Sequence, residues 1–149
     1  MKRLILEMER IPSSVFSQSV FTYCRDNKKG GIWKKIKEDL IKKEGKKCWI
    51  CGYDKDDAKL QAHETWSYDY KNKIMKLESI HHLCMKCHML KHPLLFRIGD
   101  ELIKHFCKVN NCTKDDFKNH SEETERKFIE RSKIKWKQDF SIVDKYLMS

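Results

Sequence analysis

The sequence predicts an α+β fold, a small metal-braced unit of two strands and a helix with further helices on both flanks. Two Cys-x-x-Cys knuckles, Cys48/Cys51 and Cys84/Cys87, enclose two extended runs, and the second knuckle passes straight into His88 and His92. Four thiolates close one tetrahedral zinc site, so those histidines are left over for a second task. Apolar residues at helical spacing lie before the first knuckle (Ile32, Trp33, Ile36, Leu40, Ile41) and well after the second (Leu102, Ile103, Phe106, Val109).

Length and composition set the frame. The chain has 149 residues, which fits one domain. Three zones divide it: an N-terminal tail and basic helix over 1–47, the knuckle-bearing core over 48–98 and a C-terminal helical extension over 99–149. With 40% hydrophobic and 36% charged residues, a modest apolar core lies under a charged surface, and a metal staple helps to hold it. Thirty-two Lys and Arg against twenty-two Asp and Glu give a formal charge of +10, concentrated between Lys28 and Lys47 and between Lys127 and Lys137. A polyanion is the partner that such a surface favours, because each neutralised phosphate releases condensed counterions.

Leu4-Ile5-Leu6 is broken by Glu7, Glu9 and Arg10, far short of a secretory core or a membrane span. The expected compartment is therefore the cytoplasm, where paired thiols hold metal more often than they form disulfides. Cys24, Cys107 and Cys112 have no partner at short spacing and read as ordinary thiols.

Ile11-Pro12-Ser13-Ser14 reads as an extended or turn segment. Gly30-Gly31 precedes a helix whose far side carries Lys34, Lys35, Lys37, Lys42 and Lys43, and Gly45 stands where a C-cap is needed. Leu60 to Tyr70 and Ile74 to Leu83 read as strands, and Cys84 opens a short helix that Pro93 ends. Further on, Asp100 is placed to cap a helix that Asn110-Asn111 closes. Thr113 and Asp116 form a capping box for a short helix, and Ser121 is placed to cap a longer one with Phe128, Ser132, Trp136 and Phe140 along one face.

The chemistry lies in the middle zone. With four sulfur ligands, a zinc at Cys48, Cys51, Cys84 and Cys87 has no open position and is structural. His88 and His92 stand four apart, so on a helix their imidazoles share a face, and His63 on the first strand supplies a third nitrogen. Three protein ligands with an open side are what a catalytic ion requires.

Cys48-Trp49-Ile50-Cys51-Gly52, Leu60-Gln61-Ala62-His63-Glu64 and Leu83-Cys84-Met85-Lys86-Cys87-His88 with His92 resemble the HNH endonuclease pattern. That family is the zinc-braced branch of the ββα-metal nucleases. The likeness extends to bacterial and phage HNH-like proteins through His63-Glu64-Thr65-Trp66-Ser67-Tyr68, Ile11-Pro12-Ser13-Ser14, Val109-Asn110 and Arg131-Ser132 through Trp136. The resemblance implies a ββα-metal core with Mg2+, Mn2+ or a similar ion at His63, His88 and His92. It implies hydrolysis of a DNA phosphodiester, RNA not being excluded. In that mechanism the basic helices hold the phosphate backbone and a base assists the attacking water.

Two positions depart from the pattern: Glu64 stands at the usual general-base histidine and Ser79 at the motif asparagine. A solvated glutamate ionises near ~4.3 and is a poor base at neutral pH unless burial raises it. Strand alternation sets His63 and Glu64 on opposite faces unless the strand ends or bulges there. His63 is then an alternative base, with Glu64 a core-side polar residue near Trp66 and Tyr68, and His82 stands in reserve beside His81. Trp66 and Tyr68 read as packing behind the hairpin. A rival reading is a weak or inactive zinc module that binds nucleic acid or a protein partner. A third places the three histidines in a second structural zinc site.

Overall fold

Alternating side chains in two runs joined by a four-residue turn favour an antiparallel hairpin. In the computed structural model, which describes residues 4–15, 19–26, 30–93 and 97–145, that hairpin is the centre of the molecule. Lys28, one end of the basic stretch, lies outside the described residues. β1 (Gln61–Asp69) pairs with β2 (Ile74–Leu83) from Gln61↔Leu83 to Asp69↔Ile74. Asp69 shapes the turn by accepting from the Asn72 backbone N–H at 3.0 Å and from Asn72 Nδ2 at 2.8 Å. The ladder shifts register between Thr65 and Trp66, beyond His63-Glu64. That bulge therefore leaves the alternation at His63-Glu64 intact.

Among the described residues six α-helices surround the sheet: α1 (Val20–Asp26), α2 (Gly30–Glu44), α3 (Met85–Lys91), α4 (Asp100–Asn110), α5 (Lys114–Ser132) and α6 (Ser141–Asp144). α2 buries Ile36 and Leu40 and ends at Gly45, whose φ of +76° is cheap for glycine. Ile41, expected on its inner side, is exposed. α4 ends as expected, with Asn111 left-handed at φ 49°. Its N-cap is Gly99, and Asp100 is the first helical residue without a capping bond.

Two expectations for the C-terminal zone are corrected. The Thr113–Asp116 capping box forms in both directions, at 3.2 and 3.0 Å, but it opens one long α5, with Ser121 in the interior. The four-residue spacing of Phe128, Ser132, Trp136 and Phe140 does not continue as a helix. α5 stops at Ser132, and β3 (Lys137–Asp139) joins the sheet parallel to β2 through Ile74↔Lys137 and Lys76↔Asp139. Lys-Gln-Asp is too short and too polar to show strand periodicity, so the neighbouring strand decides its state.

Trp136 and Phe140 are nonetheless buried, in edge contact with Tyr68 at 5.2 Å and Trp66 at 5.5 Å. They join Val20, Cys24, Ile36, Leu40, Met75, Leu77 and Val143 in one apolar cluster. A second cluster gathers Leu6, Leu83, Leu90, Leu102 and Phe106 around Cys48, Cys84 and Cys87. The knuckles are thus set into one of the two cores.

The N-terminal strap, residues 4–12, belongs to no regular element and is tied to α4 and α5 by hydrogen bonds on both its backbone and its side chains. Buried Asn110 accepts from the backbone N–H groups of Ile5 and Leu6, each at 2.8 Å, and donates to Leu6 O at 2.9 Å. His120 Nε2 accepts from the Met8 N–H at 2.7 Å, and Arg10 pairs with Glu125 while lying over the Phe128 ring. Asn110→Ala strands three backbone groups at once. It is expected to cost about 3 kcal/mol in urea unfolding; a loss under about 0.5 kcal/mol would mean that the strap is not anchored there.

Candidate metal centres

The Cys48-x-x-Cys51 turn tightens because Gly52 takes φ +77°, donates to Cys48 O at 3.0 Å and leaves the Cys51 N–H 3.5 Å from Cys48 Sγ. The second knuckle sits at the start of α3, where Cys84 is the N-cap and Cys87 points inward. β2 ends at Leu83 and so delivers Cys84 beside the first knuckle, with the Trp49 N–H donating to His82 O at 2.9 Å. The four sulfurs lie within 4.8 Å of one another, Cys51 Sγ and Cys84 Sγ being 3.6 Å apart. A tetrahedron of Zn–S bonds of ~2.3 Å has edges of ~3.8 Å, so the donors are spaced to hold an ion such as zinc. His105 on α4 places Nε2 3.3 Å from Cys87 Sγ, a hydrogen bond that the sequence did not signal.

The histidine nitrogens form a second cluster. His63 on β1, His88 on α3 and His92 at its C-cap bring one nitrogen each within 4.8 Å of the others. His63 Nδ1 is 3.2 Å from His92 Nε2, and the rings meet edge to face at 4.8 Å. Burial, then His92, Lys91 and His88, push the His63 imidazole down to about 2. Burial, then His88 and Lys91, push His92 down to about 4, and burial lowers His88. All three are therefore uncharged at neutral pH, each with one N–H and one lone-pair nitrogen, and none is an imidazolium acid there.

This burial has a consequence for acid stability. An imidazole held neutral in the fold takes up its proton in the unfolded chain first, near ~6.5. Its contribution is present above that pH and lost as pH falls, through about 4 for His92 and on toward about 2 for His63. For the nearly fully buried His63 the slope is about 1.4 kcal/mol per pH unit. Relative to a His63→Leu variant, the urea midpoint of the chain is expected to fall between pH 7 and pH 5. A difference that does not change with pH would show that His63 is not buried neutral.

Glu64 is not in the histidine cluster and takes the core-side place beside Trp66 that strand alternation offered as the alternative to a role as base. Its Oε1 accepts from the Val20 N–H at 2.8 Å and its Oε2 from Trp66 Nε1 at 3.2 Å, so it closes the start of α1. Burial raises its carboxyl, and these two bonds oppose the rise. His82 also stands outside the cluster: it pairs with Ala62, is buried, and has Nδ1 without a hydrogen-bond partner. His81 stacks on Trp49 at 4.1 Å and bonds Glu44 at 2.6 Å, and Ser79 lies opposite Thr65.

A carboxylate that the sequence reading passed over does reach the cluster. Glu9, on the strap, sets Oε2 4.0 Å from His63 Nε2 and Oε1 3.3 Å from Nζ of buried Lys91. Sequence distance hides this contact, and no spacing rule could have found it.

Fold and site together define a small α+β chain with two separate clusters of side chains able to hold a metal ion, one of sulfurs and one of imidazoles. No protein-family model matches the chain, and no curated protein or solved structure matches it. No helix among the described residues is long and apolar enough to cross a membrane.

Proposed function

We propose that the chain is an HNH-type, metal-dependent endonuclease that hydrolyses DNA phosphodiester bonds, built on a ββα-metal core braced by zinc at Cys48, Cys51, Cys84 and Cys87. The observation that carries this reading is the meeting of His63 with His88 and His92 beside a four-cysteine cluster that needs none of them. A fold braced by four sulfurs does not require three converging, neutral imidazoles. Held there, a divalent cation would supply Lewis acidity to the scissile phosphate and stabilise the leaving oxygen. Three nitrogens without a direct carboxylate favour Mn2+ or a later transition ion over Mg2+, which prefers oxygen ligands.

The chain's own residues divide the remaining work. His63, His88 and His92 would hold the cation that orients the phosphate, their depressed basicity suiting them to act as ligands rather than as bases. The exposed lysines of α2, Lys34, Lys37, Lys42 and Lys43, and those after α5, Lys133, Lys135 and Lys137, offer charge to the phosphate backbone. With Glu64 and His82 turned elsewhere, proton removal from the attacking water falls to solvent. Cleavage is then slow and rises with pH. Supercoiled plasmid incubated with Mn2+ or Mg2+, beside a His88→Ala control, tests the reading.

The orientation of Glu64 favours a second reading, a non-catalytic zinc module that binds nucleic acid or a protein. Absence of nicking above the control across several metals would select it.

A further inference from the structure

His63 turns its two ring nitrogens to different neighbours. Nδ1 faces His92, whereas Nε2 is buried, has no hydrogen-bond partner and looks toward the Glu9 carboxylate at 4.0 Å. A neutral imidazole carries a single N–H, and the place of that proton decides which nitrogen keeps a lone pair for a ligand. An acceptor behind one nitrogen makes the choice.

Glu9 is held for that part. Lys91 lies on α3 between His88 and His92 in sequence, is buried, and binds the other Glu9 oxygen. The pair thereby ties the strap to the helix that carries His88 and ends at His92. Lys91 is buried and the Glu9 side chain 26% exposed, and desolvation offsets much of the attraction in such a pair, so its net stability is small and its place beside the histidines points to another use. The strap is moreover anchored on both sides of Glu9, at Leu6 by Asn110, at Met8 by His120 and Thr124, and at Arg10 by Glu125. α4 and α5 thus seat one carboxylate against the histidines.

We propose that Glu9 is the positioning residue of the histidine cluster: its carboxylate accepts the Nε2–H of His63, fixes that tautomer and leaves the Nδ1 lone pair for a divalent cation. A carboxylate movement of about 1 Å brings the two groups to ordinary hydrogen-bond length. The proposal rests on reading the three histidines as one cation site.

The test uses the full chain with its cysteine-bound metal in place, titrated with Mn2+ by calorimetry. Glu9→Leu combined with Lys91→Met removes both charges, so neither is stranded. The double variant is expected to keep a cooperative urea transition with a midpoint close to the parent's and to bind Mn2+ about 10–100-fold more weakly. Glu9→Asp restores part of the affinity. In the Mn2+-free chain, long-range 1H–15N spectra are expected to show His63 protonated at Nε2, and the double variant to show a mixture or the Nδ1–H form. If the double variant loses its cooperative transition, the isosteric Glu9→Gln is read by the same two measurements. Failure of the parent to take up Mn2+ beyond the cysteine site overturns the cation-site reading and the proposal with it. Uptake and tautomer unchanged in the variants overturn the role of Glu9 alone.

Discussion

Cys87→Ser is expected to lower Tm by about 10–15 °C or to abolish cooperative unfolding, which corresponds to about 4 kcal/mol or more in a chain of this size. Three facts set that magnitude. Cys87 is fully buried, it is one of four converging sulfurs, and it lies in the apolar cluster of Leu6, Leu83, Leu90, Leu102 and Phe106. Structural zinc supplies ~10–16 kcal/mol to the folding of small zinc peptides, and serine is a poor ligand that returns only a fraction. Without the clamp, β2, α3 and the Cys48 turn lose their common anchor. Cys107→Ser is the control: Cys107 is half-buried beside the same cluster but outside the sulfur set. Thermal melts of both variants, with metal content by mass spectrometry, check the point. A Cys87→Ser chain melting within about 2 °C of the parent would show that the fold does not depend on a four-sulfur clamp.

Cleavage should fall about 100-fold or more in His88→Ala, equivalent to about 2.7 kcal/mol of activation free energy. One of three nitrogens is lost, and with it the geometry that places the cation on the phosphate. Glu64→Gln provides the contrast. Its carboxylate accepts from Val20 and Trp66 rather than facing the histidines. That substitution should therefore cost about 1–2 kcal/mol of stability and leave the rate within about threefold. Plasmid nicking by the three proteins at equal folded concentration reads both. Equal rates for parent and His88→Ala overturn the nuclease reading, and a loss in Glu64→Gln as deep as in His88→Ala would restore Glu64 as a base.

The hairpin, α2 and α3 were legible because each carries a local signal. β1 and β2 alternate between knuckles, α2 has its apolar stripe and terminal Gly45, and α3 begins at a cysteine turn and ends before Pro93. The Thr113–Asp116 box was legible for the same reason. α1 was missed: it has seven residues, and Glu64, from a strand 44 positions away, satisfies its first N–H. β3 was misread as helix because aromatic spacing was the local cue, whereas its backbone is paired by β2.

The sequence by itself determined which side chains could ligate a metal. Two Cys-x-x-Cys turns and an i, i+4 histidine pair are short-range geometry, fixed by a few torsion angles whatever the rest of the chain does. Tertiary structure alone decided the surroundings of those ligands. It turned Glu64 away to α1, left His82 apart, and brought Glu9 to His63 from more than fifty residues upstream. Such contacts depend on burial and on hydrogen bonds between distant segments, and a buried carboxylate takes whichever unsatisfied donors the packed chain presents to it.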